Sequence, residues 1–320
     1  MRGRKLAAIV GVLAVGAAAV LVVGPAGARS KASCGTVTLN EQAWAGSTAN
    51  TYVAKAVLEG MGCKVKITQI AEIPVYQALA DGKSDAVLED WQHVAQYKQY
   101  ITKQHTVVMG GPNGVVGHIG WYIPTYLMKA HPSFATWKGL KGHESLFKSP
   151  ESGSQGMFLG GDPSYVQKDA QLIKELGLNL KFVSVGAEPA QVARWTQAYK
   201  QKKPILFYWY TPQYLNKAYQ LSEVKLPPRG KNCVDSYNPK LGSNWSIYKC
   251  GYAQTIIDKL MTSKFAKSGS PAVRVVKNWK WSASDQNYVA NLIAGKHMDP
   301  SKAAEQWVKA NPGKVKAWLK

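Results

Sequence analysis

The middle of the chain alternates short strand-like segments with helix-like segments, and this order restricts the possible folds more than any other feature. Strand-like segments are short apolar or β-branched runs bounded by turn residues, whereas helix-like segments place apolar residues three or four positions apart. We predict strands at residues 36–39, 65–70, 86–88, 119–123, 156–160, 180–185 and 205–210. This alternation is typical of parallel sheets whose strands are joined by right-handed helical crossovers.

Helices are predicted between most of these strands and through the last third of the chain. Their ranges are 48–61, 74–79, 165–176, 190–200, 253–261, 284–294 and 300–310, with a short helix near Tyr126. Residues 110–114 are rich in Gly, so we interpret them as a linker between two sets of strands. The sequence therefore predicts two α/β lobes.

The two predicted lobes share the chain unequally, and a chain of 320 residues has room for about two domains. Lobe 1 is discontinuous and comprises residues 29–112 and 245–320. Lobe 2 comprises residues 113–244 and includes a Cys-bridged loop near the return crossing. Because ligands of open parallel sheets bind beyond the carboxyl ends of the strands, we expect a ligand cleft between the lobes at those ends.

The N-terminus has the pattern of a targeting segment. Residues 2–5 carry three positive charges, residues 6–23 are an unbroken run of apolar residues and Gly, and Pro25 follows. Residues 26–28 form a small-x-small cleavage site, so we predict a secretory signal peptide that is cleaved after Ala28. An uncleaved anchor is the alternative, because the apolar run is near the lower length limit of a membrane span. Either form places the protein outside the cytoplasm, at the outer face of the membrane or at the cell wall.

Four cysteines lie beyond the predicted signal peptide, and an even number in an oxidising compartment indicates disulfides. Cys34 and Cys63 each precede a predicted strand, so adjacent parallel strands would bring them together at one end. Cys233 and Cys250 would close a loop rich in Pro, Gly and Asn. We therefore expect the pairs 34–63 and 233–250. No metal site is expected, because the chain has no Cys-x-x-Cys pair and no His at a zinc-finger spacing.

The formal net charge of +21 raises the question of a nucleic-acid partner. Only six of the 40 basic residues are Arg, the residue preferred for bidentate recognition of bases and phosphates. The Lys residues are scattered along the chain. We therefore expect no nucleic-acid partner and interpret the charge as a Lys-rich surface. A secreted protein that binds anionic cell-wall polymers through this surface remains an alternative.

Aromatic side chains lie in and after several predicted strands. Trp44 and Trp91 follow strands, Trp121 lies within one, and Trp209 and Tyr210 close another. Ordinary core packing is the alternative interpretation, because Trp is usually buried for structural reasons. A quaternary ammonium cannot donate hydrogen bonds, so aromatic ring faces replace its water shell. A cluster of rings at a cleft therefore favours such a ligand.

Several segments also resemble one known family in their order and spacing. They are residues 43–46, 58–62, 87–91, 120–127, 208–212 and 299–319. From about Val37 to Leu319 the chain resembles the extracellular substrate-binding proteins of glycine betaine/choline ABC transporters. The resemblance implies a type II, two-lobe periplasmic-binding-protein fold. It also implies a small quaternary amine as ligand and an ABC permease in the membrane as partner.

The resemblance assigns Trp44 and Trp91 to an aromatic cage around the ligand. The third cage position corresponds to Tyr210, although Trp209 beside it points to the other face of the strand. Trp121 lies in the most specific matching segment, residues 120–127. We expect these aromatic residues to bind the ligand and leave open which of Trp209 and Tyr210 faces it.

The polar residues around the cage leave the ligand undecided between glycine betaine and choline. Choline-binding members place an Asp two residues after the first cage Trp, and Gly46 occupies that position here. Asp162 lies in the loop that contacts the polar end of the ligand in such proteins. Glu89 and Asp90 precede a cage Trp, where they would either face the cation or be solvated loop acids. We expect the solvated state.

No enzymatic motif accompanies these features. The chain has no Gly-x-Ser-x-Gly elbow, no Walker P-loop and no His-Glu-x-x-His motif. A carbohydrate-active enzyme is a weaker alternative that rests on the many Trp residues and on export. We therefore expect a monomeric solute-binding protein of an ABC importer for compatible solutes, with no catalytic residues and no cofactor.

Overall fold

A computed structural model describes residues 34–229, 233 and 250–320 of the protein. The predicted signal peptide, residues 1–28, lies outside the described residues, as does the predicted lobe boundary at residues 244 and 245. Among the helices that are described, none has both the length and the apolar character required to span a bilayer.

Nine strands of the described chain form one mixed sheet in the order β2-β1-β3-β9-β4-β7-β5-β6, with β8 paired to β4. The strands are β1 (Thr36–Glu41), β2 (Lys64–Gln69), β3 (Ala86–Asp90), β4 (Val107–Pro124), β5 (Gly156–Gly160), β6 (Leu180–Ser184), β7 (Leu206–Thr211), β8 (Leu221–Val224) and β9 (Gln254–Thr262). All seven predicted strands are present, and β8 and β9 were not predicted as strands.

Two parallel sets of strands lie on either side of a central antiparallel pair. In the first parallel set, β1 pairs in parallel with β2 and β3. In the second parallel set, β5 pairs in parallel with β6 and β7. Strands β4 and β9 run antiparallel to each other and connect the two sets through β7 and β3. The predicted parallel pairing is confirmed within each set.

The α-helices cover the faces of the sheet and form most of the C-terminal part. They are α1 (Ala45–Gly60), α2 (Val75–Ala80), α3 (Val94–Gln96), α4 (Thr125–Ala130), α5 (Asp169–Glu175), α6 (Glu188–Lys200), α7 (Ser263–Ala266), α8 (Pro271–Asn278), α9 (Ala283–Ala290), α10 (Pro300–Ala310) and α11 (Pro312–Leu319). Helix α1 buries Ala49, Val53 and Val57, which recur every four residues, and this spacing explains why the segment is helical.

The predicted linker at residues 110–114 is wrong, because these residues belong to the 18-residue strand β4. The pairing of β4 with β9 shifts register between Met109 and Gly111 and again between Pro112 and Val116. Gly111 and Gly114 have positive φ angles of 82° and 98°, so the Gly-rich sequence forms β-bulges. One strand can therefore bend from the first parallel set to the second.

The helix predicted at residues 253–261 is also wrong, because the segment forms strand β9. Thr255, Ile256 and Ile257 are β-branched and suit a pleated strand better than a helix. Strand β9 pairs with β3 on one side and with β4 on the other. Hydrogen bonds to two neighbouring strands outweigh the helical spacing of its apolar residues.

Helix α5 begins at Asp169, four residues later than the predicted start at Tyr165. Residues 162–165 form a turn instead, in which the Tyr165 backbone N–H donates to the Asp162 carbonyl at 2.9 Å. This turn places the Tyr165 ring beside the carboxyl ends of the strands rather than along a helix surface.

Both expected disulfides are present. Cys34 and Cys63 are bonded with their Cα atoms 5.0 Å apart, at the ends where β1 and β2 begin. Cys233 and Cys250 are bonded with a Cα separation of 6.0 Å. The first pairing follows directly from the parallel register, in which Thr36 is opposite Lys64.

Core packing accounts for many of the Trp residues. Trp279 stacks on Trp318 with ring centroids 4.2 Å apart, and Trp307 stacks on Trp318 at 5.5 Å. Trp281 meets Trp307 edge-on at 5.6 Å. These four rings fill the space among the C-terminal helices. The abundance of Trp therefore does not by itself identify a binding site.

Candidate functional site

The carboxyl ends of strands from both parallel sets meet around one small cavity. Trp44, Glu72 and Trp91 follow β1, β2 and β3, respectively. Tyr165 follows β5, and β7 contributes two further rings, Tyr208 and Tyr210. We call Trp44, Trp91, Tyr165, Tyr208 and Tyr210 the aromatic cage. Together with Glu72 and Val166 these residues enclose about 20 Å³, which is room for about one water-sized molecule.

The rings of the aromatic cage meet mainly edge to face. Trp44 and Tyr165 have centroids 5.3 Å apart at 87°, and Trp91 and Tyr210 are 5.5 Å apart at 81°. Tyr208 lies 6.5 Å from Tyr165. Each of the two edge-to-face pairs joins a ring from the first parallel set to a ring from the second. The cage is therefore complete only when both sets of strands contribute.

A buried carboxylate behind the cage fixes both of its Trp rings. Oε1 of Glu89 accepts a hydrogen bond from Nε1 of Trp44 at 2.8 Å and another from Nε1 of Trp91 at 3.1 Å. Oε2 of Glu89 accepts from Nδ2 of Asn50 at 2.8 Å. Burial raises the pKa of Glu89 to about 7, although the hydrogen bonds from the two indoles lower it. The two indoles cannot turn without breaking these bonds.

Glu188 and Tyr165 hold the two walls of the cage together. The Glu188 carboxylate accepts hydrogen bonds from the Tyr210 hydroxyl and from the Ala45 backbone N–H, the latter at 3.0 Å. The Tyr165 hydroxyl donates to the Ala43 carbonyl at 3.0 Å and accepts from the Glu188 N–H at 3.1 Å. Ala43 and Ala45 follow β1, whereas Tyr165 and Glu188 follow β5 and β6. These bonds therefore cross between the two parallel sets.

Glu72 lines the cavity and was not among the residues predicted from the sequence. Its side chain is 2% exposed, and Oε2 lies 3.3 Å from Nε2 of His93. Oε1 is buried and has no hydrogen-bond partner among the described residues. Burial lowers the pKa of His93, but the charges of Glu72 and Asp90 outweigh this effect and raise it. Glu72 follows β2 as Trp44 follows β1, and this position at a strand end was the available signal.

The structure brings three of the predicted ligand-binding residues together, namely Trp44, Trp91 and Tyr210. It places Trp209 on the opposite face of β7, where its ring meets Trp195 at 5.1 Å. Nε1 of Trp209 donates to Oδ1 of Asn216 at 2.7 Å. The alternation of side chains along a strand thus separates Tyr210, which lines the cavity, from its neighbour.

Trp121 and Asp162 lie outside the lining of the cavity. Trp121 is fully buried, packs on Phe158 with centroids 4.7 Å apart, and donates to Asp169 at 2.7 Å. Oδ1 of Asp162 accepts from the Ser164 backbone N–H at 2.8 Å and from its hydroxyl at 2.7 Å. In this conformation Trp121 packs in the core and Asp162 stabilises the turn before Tyr165.

The expectation that Glu89 and Asp90 are solvated is wrong, because both side chains are 1% exposed. Asp90 accepts hydrogen bonds from the hydroxyls of Tyr76 and Tyr97, each at 2.5 Å. Burial raises the pKa of Asp90 to about 6. Strand β3 is buried along its whole length, which is why its last two residues are not loop acids.

Gly46 makes room for the buried carboxylate behind the cage. A Cβ atom at this position would lie 2.5 Å from Nε2 of Gln286 and 2.9 Å from Oε2 of Glu89. Both distances are shorter than real Cβ contacts. A larger residue at position 46 would therefore require both side chains to shift. The chain therefore lacks an Asp at position 46 and instead places the carboxylate of Glu89 beside that position.

A larger groove of about 580 Å³ adjoins the cage and shares Trp44 with it. Its lining includes Glu41, Glu188 and Tyr214, and it opens along the N-terminal ends of α1 and α6. Within the described residues no group of three His, Cys, Asp or Glu side chains is arranged to hold a metal ion.

Comparisons with known proteins agree with this geometry. Residues 35–310 match the family described as the substrate binding domain of ABC-type glycine betaine transport system. A glycine betaine/L-proline-binding protein (ProX) from Borrelia burgdorferi has a similar fold, with a TM-score of 0.71 and 21% identity. That similarity covers 89% of this chain and 97% of the other.

Two further solved structures share the fold. A choline-binding protein of an ABC transporter, in complex with choline, matches at a TM-score of 0.71 with 19% identity over 89% of this chain and 92% of its own. Lactococcal OpuAC in its closed form with glycine betaine matches at 0.66 with 20% identity over 89% of this chain and 99% of its own. The expected two-lobe periplasmic-binding-protein fold is thereby confirmed. The chain belongs to the family of substrate-binding domains of ABC-type glycine betaine transport systems.

Proposed function

We propose that this protein captures a compact quaternary ammonium solute in the aromatic cage and delivers it to the permease of an ABC importer. The observation that carries this proposal is the cage itself, in which rings from both parallel sets surround one buried cavity. A quaternary ammonium is held by ring faces because it offers no hydrogen-bond donor, and each desolvated contact is worth about 2 kcal/mol.

Ligand entry requires the two parallel sets to move apart. The cavity of about 20 Å³ has room for about one water-sized molecule, and its walls are joined by the hydrogen bonds of Glu188 and Tyr165. Separation of the two sets exposes the rings, and closure then buries the ligand between them. The closed form is the one that the permease would recognise.

The proposal places the protein outside the cytoplasm as a monomer. Lobe 1 (residues 29–112 and 245–320) carries the first parallel set, and lobe 2 (residues 113–244) carries the second. Residues 1–28 direct export, and the mature chain begins at Arg29. Mass spectrometry of the exported protein tests the cleavage site, since retention of residues 1–28 would mean an uncleaved anchor. Light scattering of the purified protein tests whether it is monomeric.

Thermal unfolding with a panel of quaternary amines tests the binding function. The panel is glycine betaine, choline, carnitine and proline betaine. A ligand at 100 times its Kd adds about 2.7 kcal/mol to the unfolding free energy, which raises Tm by about 5 °C or more. No shift with any member, together with flat calorimetric titrations, would exclude a quaternary amine as the ligand.

A pair of Trp variants then tests the position of the site. Trp91→Ala removes a cage ring and should weaken binding at least about tenfold, because a desolvated cation–π contact is lost. Trp137→Ala is the matched control, since this ring lies away from the cage and contacts Lys141 instead. Equal affinities of the two variants would move the ligand away from Trp91. Circular dichroism of both variants checks that they fold.

A further inference from the structure

The side-chain donors of the aromatic cage are already engaged. Both indole N–H groups donate to Glu89. The hydroxyls of Tyr165, Tyr208 and Tyr210 donate to the Ala43 carbonyl, the Val166 carbonyl and the Glu188 carboxylate, respectively. A bound carboxylate needs N–H or O–H donors in place of the water that it loses. The cage side chains therefore have no free donor to offer to a ligand carboxylate.

Among the described side chains that line the cavity, the free hydrogen-bonding capacity is that of an acceptor. Glu72 lines the cavity, is 2% exposed, and uses Oε2 to face His93. Its Oε1 atom is buried and without a partner among the described residues. A buried acceptor without a partner is unfavourable, and a donor on a ligand would satisfy it. A hydroxyl group on the bound solute is such a donor.

The charges around the cavity also favour a cation. Among the described residues, Glu72 is the only charged side chain that lines the cavity, and no Lys or Arg lines it. Two further buried carboxylic acids, Glu89 and Glu188, lie behind the rings. His93 carries at most one positive charge, which can balance only the charge of Glu72. A carboxylate on the ligand would therefore enter a region that already holds several acidic groups of the protein.

We propose that Glu72 sets the specificity of the cage, so that the site takes a quaternary ammonium alcohol and discriminates against betaines. Oε1 of Glu72 accepts the hydroxyl hydrogen of the ligand, while the rings hold its trimethylammonium group. This inference rests on the proposed function and names the class of quaternary amine.

Calorimetric titration with choline and glycine betaine tests this inference, because the two ligands share a trimethylammonium group and differ in a hydroxyl against a carboxylate. The unmodified protein should bind choline at least about tenfold more tightly than glycine betaine. Glu72→Gln should weaken choline binding at least about tenfold and leave glycine betaine binding unchanged or tighter. Glu59→Gln is the matched control, since it makes the same change on the exposed face of α1.

The outcomes separate this inference from the proposed function. A choline preference of less than about tenfold in the unmodified protein overturns the role of Glu72 but leaves a quaternary-amine site in place. Equal weakening of both ligands by Glu72→Gln also overturns it, because a structural role has no ligand preference. If the protein binds neither these two ligands nor any other member of the panel, the proposed function itself is overturned. If Glu72→Gln does not fold, the ratio of affinities in the unmodified protein decides alone.

Discussion

Oε1 of Glu89 lies 2.8 Å from Nε1 of Trp44. The same oxygen accepts a hydrogen bond from Trp91, so one buried carboxylate orients two rings of the cage. Charged groups are costly to bury, and Glu89 is stabilised by these indoles and by Asn50 rather than by a cation. This arrangement makes the stability of the protein dependent on pH.

We expect the unfolding free energy to decrease as the pH rises from about 4.5 to 7. Burial raises the pKa of Glu89 from 4.5 to about 7, so in this range the folded protein keeps a proton that the unfolded chain has lost. Linkage assigns about 3 kcal/mol to this one group. Asp90 and Asp169, whose pKa values burial raises to about 6, act in the same direction.

Urea unfolding at several pH values between 4.5 and 8 measures this dependence. Glu89→Gln should give a shallower slope, because the amide does not titrate, whereas Glu59→Gln should leave the slope unchanged. Glu151 makes stability rise with pH, because its hydrogen bond to Arg194 lowers its pKa to about 2. That effect lies below pH 4.5 and so outside the measured range. Identical slopes for the protein and Glu89→Gln would contradict the prediction.

We expect Gly46→Asp to destabilise the fold by about 2 kcal/mol or more. The new Cβ would overlap Gln286 and Glu89, and the new carboxylate would lie beside a buried acid. Chemical denaturation of the variant measures the loss. Gly60→Asp is the control, because a Cβ there meets no atom within 4 Å. A Gly46→Asp protein as stable as Gly60→Asp would show that the space beside Glu89 is not restricted.

Tyr165→Phe should weaken ligand binding by about tenfold, chiefly through faster dissociation. The variant leaves the Ala43 carbonyl and the Glu188 N–H without the hydroxyl that joins them across the two walls of the cage. Stopped-flow displacement of bound ligand measures the dissociation rate. Tyr126→Phe removes a hydroxyl that donates to the Lys203 carbonyl away from the cage, so it should leave the rate unchanged. Equal rates in the two variants would argue against a role for Tyr165 in closure.

Replacing both Cys34 and Cys63 with Ser should lower the unfolding free energy by about 3 kcal/mol. The bond closes a loop with a sequence separation of 29 residues and ties together the starts of β1 and β2. The carboxyl ends of the same strands carry Trp44 and Glu72, at the opposite end from the disulfide. We therefore expect ligand affinity at low temperature to remain close to that of the unmodified protein. Denaturation and calorimetry on the same sample compare the two effects, and a large loss of affinity in a folded variant would contradict this separation.

Local sequence patterns were sufficient to predict the parallel strands and the first disulfide. The runs at β1, β2 and β3 are short and rich in β-branched or apolar residues, and helix-like segments separate them. Their parallel order therefore follows from connection rules. The same patterns gave wrong predictions at β4 and β9. In β4 the Gly residues form bulges, and in β9 apolar residues at a helical spacing occur in a strand. Both segments depend on pairing with strands distant in sequence, and local spacing does not record that pairing.

The sequence by itself determined that Trp44 and Trp91 follow parallel strands and that Tyr210 ends another, because strand ends can be located from the chain alone. Only the tertiary structure decided which side chains meet there. It buried Trp121 and Trp209 elsewhere, brought in Tyr165, Tyr208 and Glu72, and set Glu89 behind the two indoles. The direction of a side chain and the partner of a buried carboxylate depend on contacts between segments far apart in the chain, which a linear pattern does not specify.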